Sequence, residues 1–182
     1  MIKGIYSHLA VFLIVVFCFL GCSTGLKNIS KNYIMNEEPN KSVIIGKSNI
    51  KQEGAIGITT WRTIRLKNAT TNEQLPAPPI GDEYFFISLD KGEYIIESSW
   101  IGFGTLGAMG YGYPVHLNLR FKANPNEIIY IGDLTVTHKF KPFKEGLIGS
   151  DISISDTYEG AVNEFRKQYP NIKNDVKHSL MK

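Results

Sequence analysis

Cysteine is almost missing from this 182-residue chain, which has two, Cys18 and Cys22. Both stand at the N-terminal end, so no disulfide staples the body of the chain and no cysteine-based zinc site can form there. An excess of one charge is missing as well. Lys and Arg number 20 against 17 Asp and Glu, a formal +3, and the basic residues are scattered among acidic ones. That balance does not by itself point to nucleic acid or to an anionic membrane as a partner. Repeats of solenoid period are absent. So are a His-Glu-x-x-His motif and any pair of histidines at helical metal-ligand spacing.

Charge is scarcest at the start, where Lys3 is the one Lys, Arg, Asp or Glu before position 27. An apolar run from Leu9 to Leu20 follows it. As a helix it rises roughly 18 Å, against about 30 Å of bilayer hydrocarbon, so it is short for a span. A positive start, a short apolar stretch and a small residue at its end read as a signal peptide over residues 1–21. The junction Phe19-Leu20-Gly21-Cys22-Ser23 resembles the lipobox of bacterial lipoproteins. Gly21 and Cys22 match its most restrictive positions, and Phe19 stands where Leu is usual. The resemblance implies that Cys22 is acylated and becomes the first mature residue, anchoring the protein to the membrane through several acyl chains. Ser23, in place of Asp, implies the outer membrane, facing the periplasm or at the cell surface. Cys22 is then the mature chain's one cysteine, and removal of Lys3 leaves a formal charge of +2.

The remaining 161 residues suffice for one domain. Residues 22–41 are polar, with few apolar side chains, and read as a tether. Residues 42–155 carry period-two segments. In 115–121, Val115, Leu117, Leu119 and Phe121 alternate with His116, Asn118 and Arg120. Tyr94, Ile96 and Trp100 are expected on one face of a strand over 93–101. Phe85, Ile87 and Leu89 mark the strand before it, joined by a hairpin at Asp90-Lys91-Gly92. In 127–138, Ile128, Tyr130, Leu134 and Val136 are expected on one face, with Gly132 between them and Ile129 and Ile131 opposite. Weaker strands are expected at 42–47, 56–67 and 150–155. Residues 156–182 hold a helix and tail. Asp156-Thr157-Tyr158-Glu159 resembles a capping box with Asp156 as N-cap. Tyr158, Ala161, Val162, Phe165 and Tyr169 keep helical spacing, and Pro170 ends it. This face is expected to cover Ile129 and Ile131. About seven strands with turns between them favour a mainly β, immunoglobulin- or transthyretin-like antiparallel β-sandwich with one C-terminal helix. A small β-barrel is the alternative.

Three segments carry a further resemblance. Leu89 to Tyr94 is similar to a proline-glycine-x-tyrosine hairpin of carboxypeptidase-regulatory and transthyretin-like sandwiches, with Lys91 where Pro is common. Pro125 to Leu134 and Ala161 to Pro170 are similar to the late strand and closing helix of a family of uncharacterised bacterial lipoproteins with a domain of unknown function. The resemblance covers roughly residues 42–172. It implies a fold and supplies no catalytic residue.

The search for chemistry yields little. His116, His138 and His178 read as surface or capping residues. Gly102-Phe103-Gly104-Thr105-Leu106-Gly107 matches a dinucleotide fingerprint in letters, but it is followed by more glycine and another strand rather than by a helix. Pro76-Ala77-Pro78-Pro79 reads as a stiff connector. The glycine-rich stretch 102–113 is the most unusual feature. It carries Phe103, Leu106, Met109, Tyr111 and Tyr113, which either form a partner-binding loop or fold back over the sandwich end. No catalytic residue, metal site or cofactor is assigned. The expectation is a lipid-anchored, non-catalytic binding or envelope-assembly module, with the membrane and an envelope protein or glycan as partners and no nucleic acid. The alternatives are an envelope hydrolase or glycan-acting enzyme, which would need a cleft where His116 or His138 meets carboxylates, and a purely structural lipoprotein.

Overall fold

The computed structural model describes residues 25–54, 59–103, 111–141 and 146–182. Cys22 lies outside them. Among the described residues nine strands form: β1 (Lys41–Glu53), β2 (Thr59–Asn68), β3 (Gln74–Leu75), β4 (Gly81–Asp90), β5 (Gly92–Phe103), β6 (Tyr111–Ala123), β7 (Ile128–Phe140), β8 (Leu147–Ser155) and β9 (Val176–His178). One helix, α1, spans Tyr158–Gln168. The first sheet runs β4-β1-β7-β8, with β9 beside the opening residues of β7, and the second runs β3-β2-β5-β6. Ile44, Ile87, Ile129 and Leu134 of the first sheet share a core with Ile64, Ile96, Ile101 and Phe121 of the second. The fold is therefore a β-sandwich, and neither sheet closes into a barrel. Two strands exceed the expected seven because β3 and β9 are too short to show a period. The first sheet is also mixed rather than wholly antiparallel, since β1 and β9 both run parallel to β7.

Among the register shifts, one on β7 and one on β5 move side chains away from their expected faces. On β7, Ile45 pairs with Tyr130 and Lys47 with Asp133, so Ile131 and Gly132 together face Gly46. Gly132 sits at φ +98°, a conformation that glycine adopts without Cβ strain. Before the bulge Ile129 and Ile131 enter the inter-sheet core while Ile128 and Tyr130 point outward. After it Leu134 and Val136 enter the core. Ile128 and Tyr130 therefore do not share a face with Leu134 and Val136. On β5, Leu66 pairs with Ile96 and Arg65 with Ser98, which leaves Glu97 as the extra residue. Tyr94, Ile96 and Ile101 enter the core, and Trp100 is turned to the outer face, away from Tyr94 and Ile96.

The outer face of the first sheet is covered. Helix α1 lays Ala161, Phe165 and Tyr169 on Val43, Ile45, Phe86, Ile128 and Tyr130, not on Ile129 and Ile131 as expected. The Phe86 ring lies 5.6 Å from Phe165 and 5.4 Å from Tyr169. The helix begins at Tyr158, with Thr157 as N-cap, and the Asp156 carboxylate accepts the Tyr158 N–H at 3.1 Å. The segment expected as a tether is strapped to this face from Gly25 onward. Leu26 N–H donates to Ala77 at 2.8 Å, Ile29 N–H to Phe86 at 2.7 Å, and Ile29, Tyr33 and Met35 join the helix's apolar cluster. The C-terminal tail is tied down as well. Met181 N–H donates to Ile131, and Lys182 exchanges backbone bonds with Arg120 at 2.7 and 3.1 Å, so the last residues bridge the sheets.

Candidate functional site

The expected partner loop is in view only at its base. Leu106 and Met109 lie outside the described residues, as does the side chain of Tyr111, whose backbone pairs with Phe103. Phe103 and Tyr113 are half-buried and converge on Phe140, with ring centroids 5.1 and 5.3 Å from it and 5.9 Å from each other. The three edge-on rings plug this end of the sandwich, an arrangement that their quadrupoles favour.

The face beside this plug is open. Helix α1 covers only the first sheet, and the second carries an uncovered aromatic patch on its outer side. Trp61 is 39 % exposed, and its indole lies flat across Gly102 and Gly112, which pair directly on β5 and β6. A Cβ built on Gly102 would fall inside the indole, and one on Gly112 would meet it at 2.9 Å and the Trp100 ring at 3.1 Å. The Trp100 Nε1–H donates to Ser98 Oγ at 2.8 Å, and the Arg65 guanidinium stacks over its ring at 4.4 Å. Lys67 and Glu97 form a 2.8 Å ion pair in the same face, and Arg65 and exposed His116 add to Lys67 in holding the Glu97 carboxyl below its ordinary range. One face of Trp61 is thus fixed on glycine backbone while the ring stays partly exposed. Trp61, Trp100 and Arg65 carried no signal as single residues. The clue was joint: a tryptophan in one strand and glycines at two positions that a hairpin brings opposite each other.

No protein-family model, curated protein or solved structure matches the chain. The reading of the site therefore rests on its geometry.

The histidines separate into three environments. His116 is exposed, as expected. His138 is not a surface residue. It is fully buried between the sheets, with Nε2 3.0 Å from Ser99 Oγ and Nδ1 without a hydrogen-bond partner among the described residues. Burial pushes its pKa down to about 4. This pair resembles a nucleophile and base in composition only, because no carboxylate among the described residues orients the ring and both side chains are sealed from solvent. His178 is held in place. It stands on β9, 3.0 Å from the Asp156 carboxylate and stacked on Tyr130. The chain's one Gly-x-Ser-x-Gly string, Gly21 to Gly25, lies outside the described residues except for Gly25. Among the described residues no three His, Cys, Asp or Glu side chains gather as a metal site.

A second polar cluster sits where α1 meets β7. Asp133, nearly buried, accepts the Tyr130 hydroxyl at 3.1 Å and the Thr157 hydroxyl at 2.6 Å. Tyr130 in turn accepts the Thr157 N–H at 2.8 Å, and Tyr84 bonds the Thr157 hydroxyl at 2.5 Å. Lys47 lies 3.8 Å from Asp133 and 4.0 Å above the Tyr84 ring. Burial pushes the Tyr130 hydroxyl up to about 12. Each polar atom here serves a neighbour, and the cluster fixes the residue from which the helix starts.

Proposed function

We propose that this chain is a membrane-anchored bacterial lipoprotein, lipidated at Cys22, that acts as a non-catalytic binding or envelope-assembly module. The observation that carries the reading is the asymmetry of the sandwich. One outer face is closed by α1 and the N-terminal strap, and the other presents Trp61 on a glycine platform next to Phe103 and Tyr113. A large aromatic held rigid and half exposed loses little conformational entropy on binding, which is why such residues anchor interfaces. The partner is an envelope protein or glycan that meets this face and the adjoining loop. The anchor faces the periplasm from the outer membrane. The alternative of an envelope hydrolase gains nothing from the histidines, because His138 is enclosed with Ser99 and His116 lies on an open face.

The test is co-purification from detergent-solubilised membranes with Trp61→Ala, and with residues 104–110 replaced by a Gly/Ser linker. The partner should be lost while thermal unfolding stays cooperative. Unchanged recovery from both variants refutes the assigned face. The mass of the mature N-terminus tests the anchor separately, and an unmodified Cys22 refutes it.

A further inference from the structure

The two sheets have four edges, and three of them are at least partly blocked among the described residues. Ile29 of the strap donates its N–H to Phe86 on β4, and β3 pairs with β2 at Leu66 and Lys67. Lys182 exchanges backbone bonds with Arg120 on β6, a strand that also carries Pro114. The fourth edge, β8, is different. It pairs with β7 on one side, and no described strand lies on the other. It holds neither lysine nor proline, the residues that commonly keep an edge from pairing. Ser150 to Ser153 are exposed in succession, and Ile148 and Ile152 are 58 % and 44 % exposed. Helix α1 does not cover this edge, because its apolar cluster contains no residue of β8. An open edge strand with two bare isoleucines is a template for another strand.

The residues of the edge identify that strand as a second copy of β8. Antiparallel pairing about a two-fold axis through Ser150 opposes Ser150 to its own copy, Ile148 to Ile152 and Gly149 to Asp151. Each exposed isoleucine then meets the other, twice by symmetry. Within one chain Asp151 stands beside Thr137 and Gly149 beside Lys139, so a row across the join reads Thr137, Asp151, Gly149, Lys139. Asp151 already bonds Lys139 of its own chain at 2.6 Å, and a Cβ on Gly149 would meet nothing within 4 Å. The lysine of the second copy therefore has open room to reach toward the same carboxylate. Other axes lose this match. An axis through Asp151 opposes two carboxylates, which is destabilising. Axes through Gly149 or Ile152 leave Ile148 opposite Ser150 or Asp156. We infer that β8 is a homodimer interface that joins two sandwiches edge to edge, extending β4-β1-β7-β8 into the same strands of the second copy in reverse order. The Trp61 platform lies on the other sheet, so the dimer carries two of them. The interface does not depend on the lipid anchor.

The test uses the full chain solubilised in detergent. Sedimentation velocity over a dilution series should show a dimer that dissociates on dilution. Ile148→Lys replaces two cross-strand pairs per dimer and should raise the dissociation constant by roughly tenfold. Its thermal unfolding should match the wild type, because Ile148 is mostly exposed and has no partner on β7. Ile152→Lys should weaken the dimer in the same way, and Ile148→Lys keeps the test readable if that variant unfolds. Register is read by oxidative cross-linking of Ser150→Cys and Ser153→Cys, with linked peptides identified by mass so that bridges at Cys18 or Cys22 are set aside. Ser150→Cys should link to its own copy. Ser153→Cys should not, because its two copies stand about 20 Å apart in this register. A monomer at every concentration overturns the inference, as does a dimer that both lysine variants leave intact. Self-linking at position 153 but not at 150 refutes the register and with it the proposed interface. A bridge from Ser150→Cys to a different protein in membranes, with the pure chain monomeric, makes β8 a site for a foreign strand and refutes the homodimer.

Discussion

The imidazole of His138 on β7 lies 3.0 Å from the hydroxyl of Ser99 on β5, a hydrogen bond that spans the two sheets inside the core. Both residues are 0 % exposed. A buried hydroxyl or imidazole left without its partner costs about 1–3 kcal/mol, whereas removing both partners costs much less. Ser99→Ala and His138→Leu should each destabilise the domain, and the double variant should lose clearly less than the sum. Urea unfolding of the four proteins checks this. Simple additivity would show that the contact holds nothing.

The same histidine gives stability a dependence on pH. In the unfolded chain the ring titrates near 6.5, and in the fold burial lowers it to about 4. The unfolded state therefore takes up the proton first as pH falls. The stabilisation is fully present above pH 6.5 and is lost between about pH 6.5 and 4, by about 3 kcal/mol. Urea midpoints measured across that window for the wild type and His138→Leu separate this loss from that of the carboxylates. Parallel curves for the two proteins would contradict it.

Much of the sandwich was legible in the sequence because its strands keep period two between bulges. Val115 and Phe121 face the core as their alternation says. The expectation broke at two of the places where a strand gained a residue, Glu97 and Ile131-Gly132, because one extra residue turns the side chains after it to the opposite face. The same slip sent α1 over Ile128 and Tyr130 and left Trp100 outside the core. The polar strap at 25–40 had the composition of a tether, and its attachment depends on a few backbone bonds that composition does not reveal. The Trp61 platform was hidden for a related reason. It exists only once β2, β5 and β6 are paired in register, and no window of the sequence holds all three.

Gly132 is where the first bulge can be tested. Its φ of +98° strains any residue with a Cβ, and the added carbon would meet Ile154 Cγ2 at 2.8 Å. Gly132→Ala should cost about 1–3 kcal/mol. Thermal unfolding with a two-state fit reads it, and a neutral result would mean that the bulge can relax.

Tyr130→Phe tests the polar cluster under the helix. It removes the donor to Asp133 and the acceptor of the Thr157 N–H, so the helix start loses its fixed partner. A loss of about 1–3 kcal/mol is expected at neutral pH. Because burial raises the hydroxyl to about 12 in the fold, the wild type should also lose stability as pH rises from 10 toward 12, where the unfolded tyrosine ionises first. Tyr130→Phe should lack that alkaline loss. If the two proteins fall together above pH 10, the tyrosine is not its source.

Trp61 and Gly102 should be energetically coupled. Alanine at Gly102 places a carbon where the indole now lies, so the ring must lift or the strand pair must spread. Overpacking of this kind costs about 1–3 kcal/mol when neighbours cannot move, and less when the obstructing group is absent. Gly102→Ala should therefore destabilise the wild type and be nearly neutral in the Trp61→Ala background. Its near-ultraviolet circular dichroism should change in the tryptophan region, because the ring leaves its fixed bed. Partner recovery should fall in Gly102→Ala even though Trp61 is still present, since the indole would no longer be held flat. A cycle with no coupling, or full recovery from a protein whose tryptophan signal has changed, would show that the glycine platform does not hold a binding residue in place.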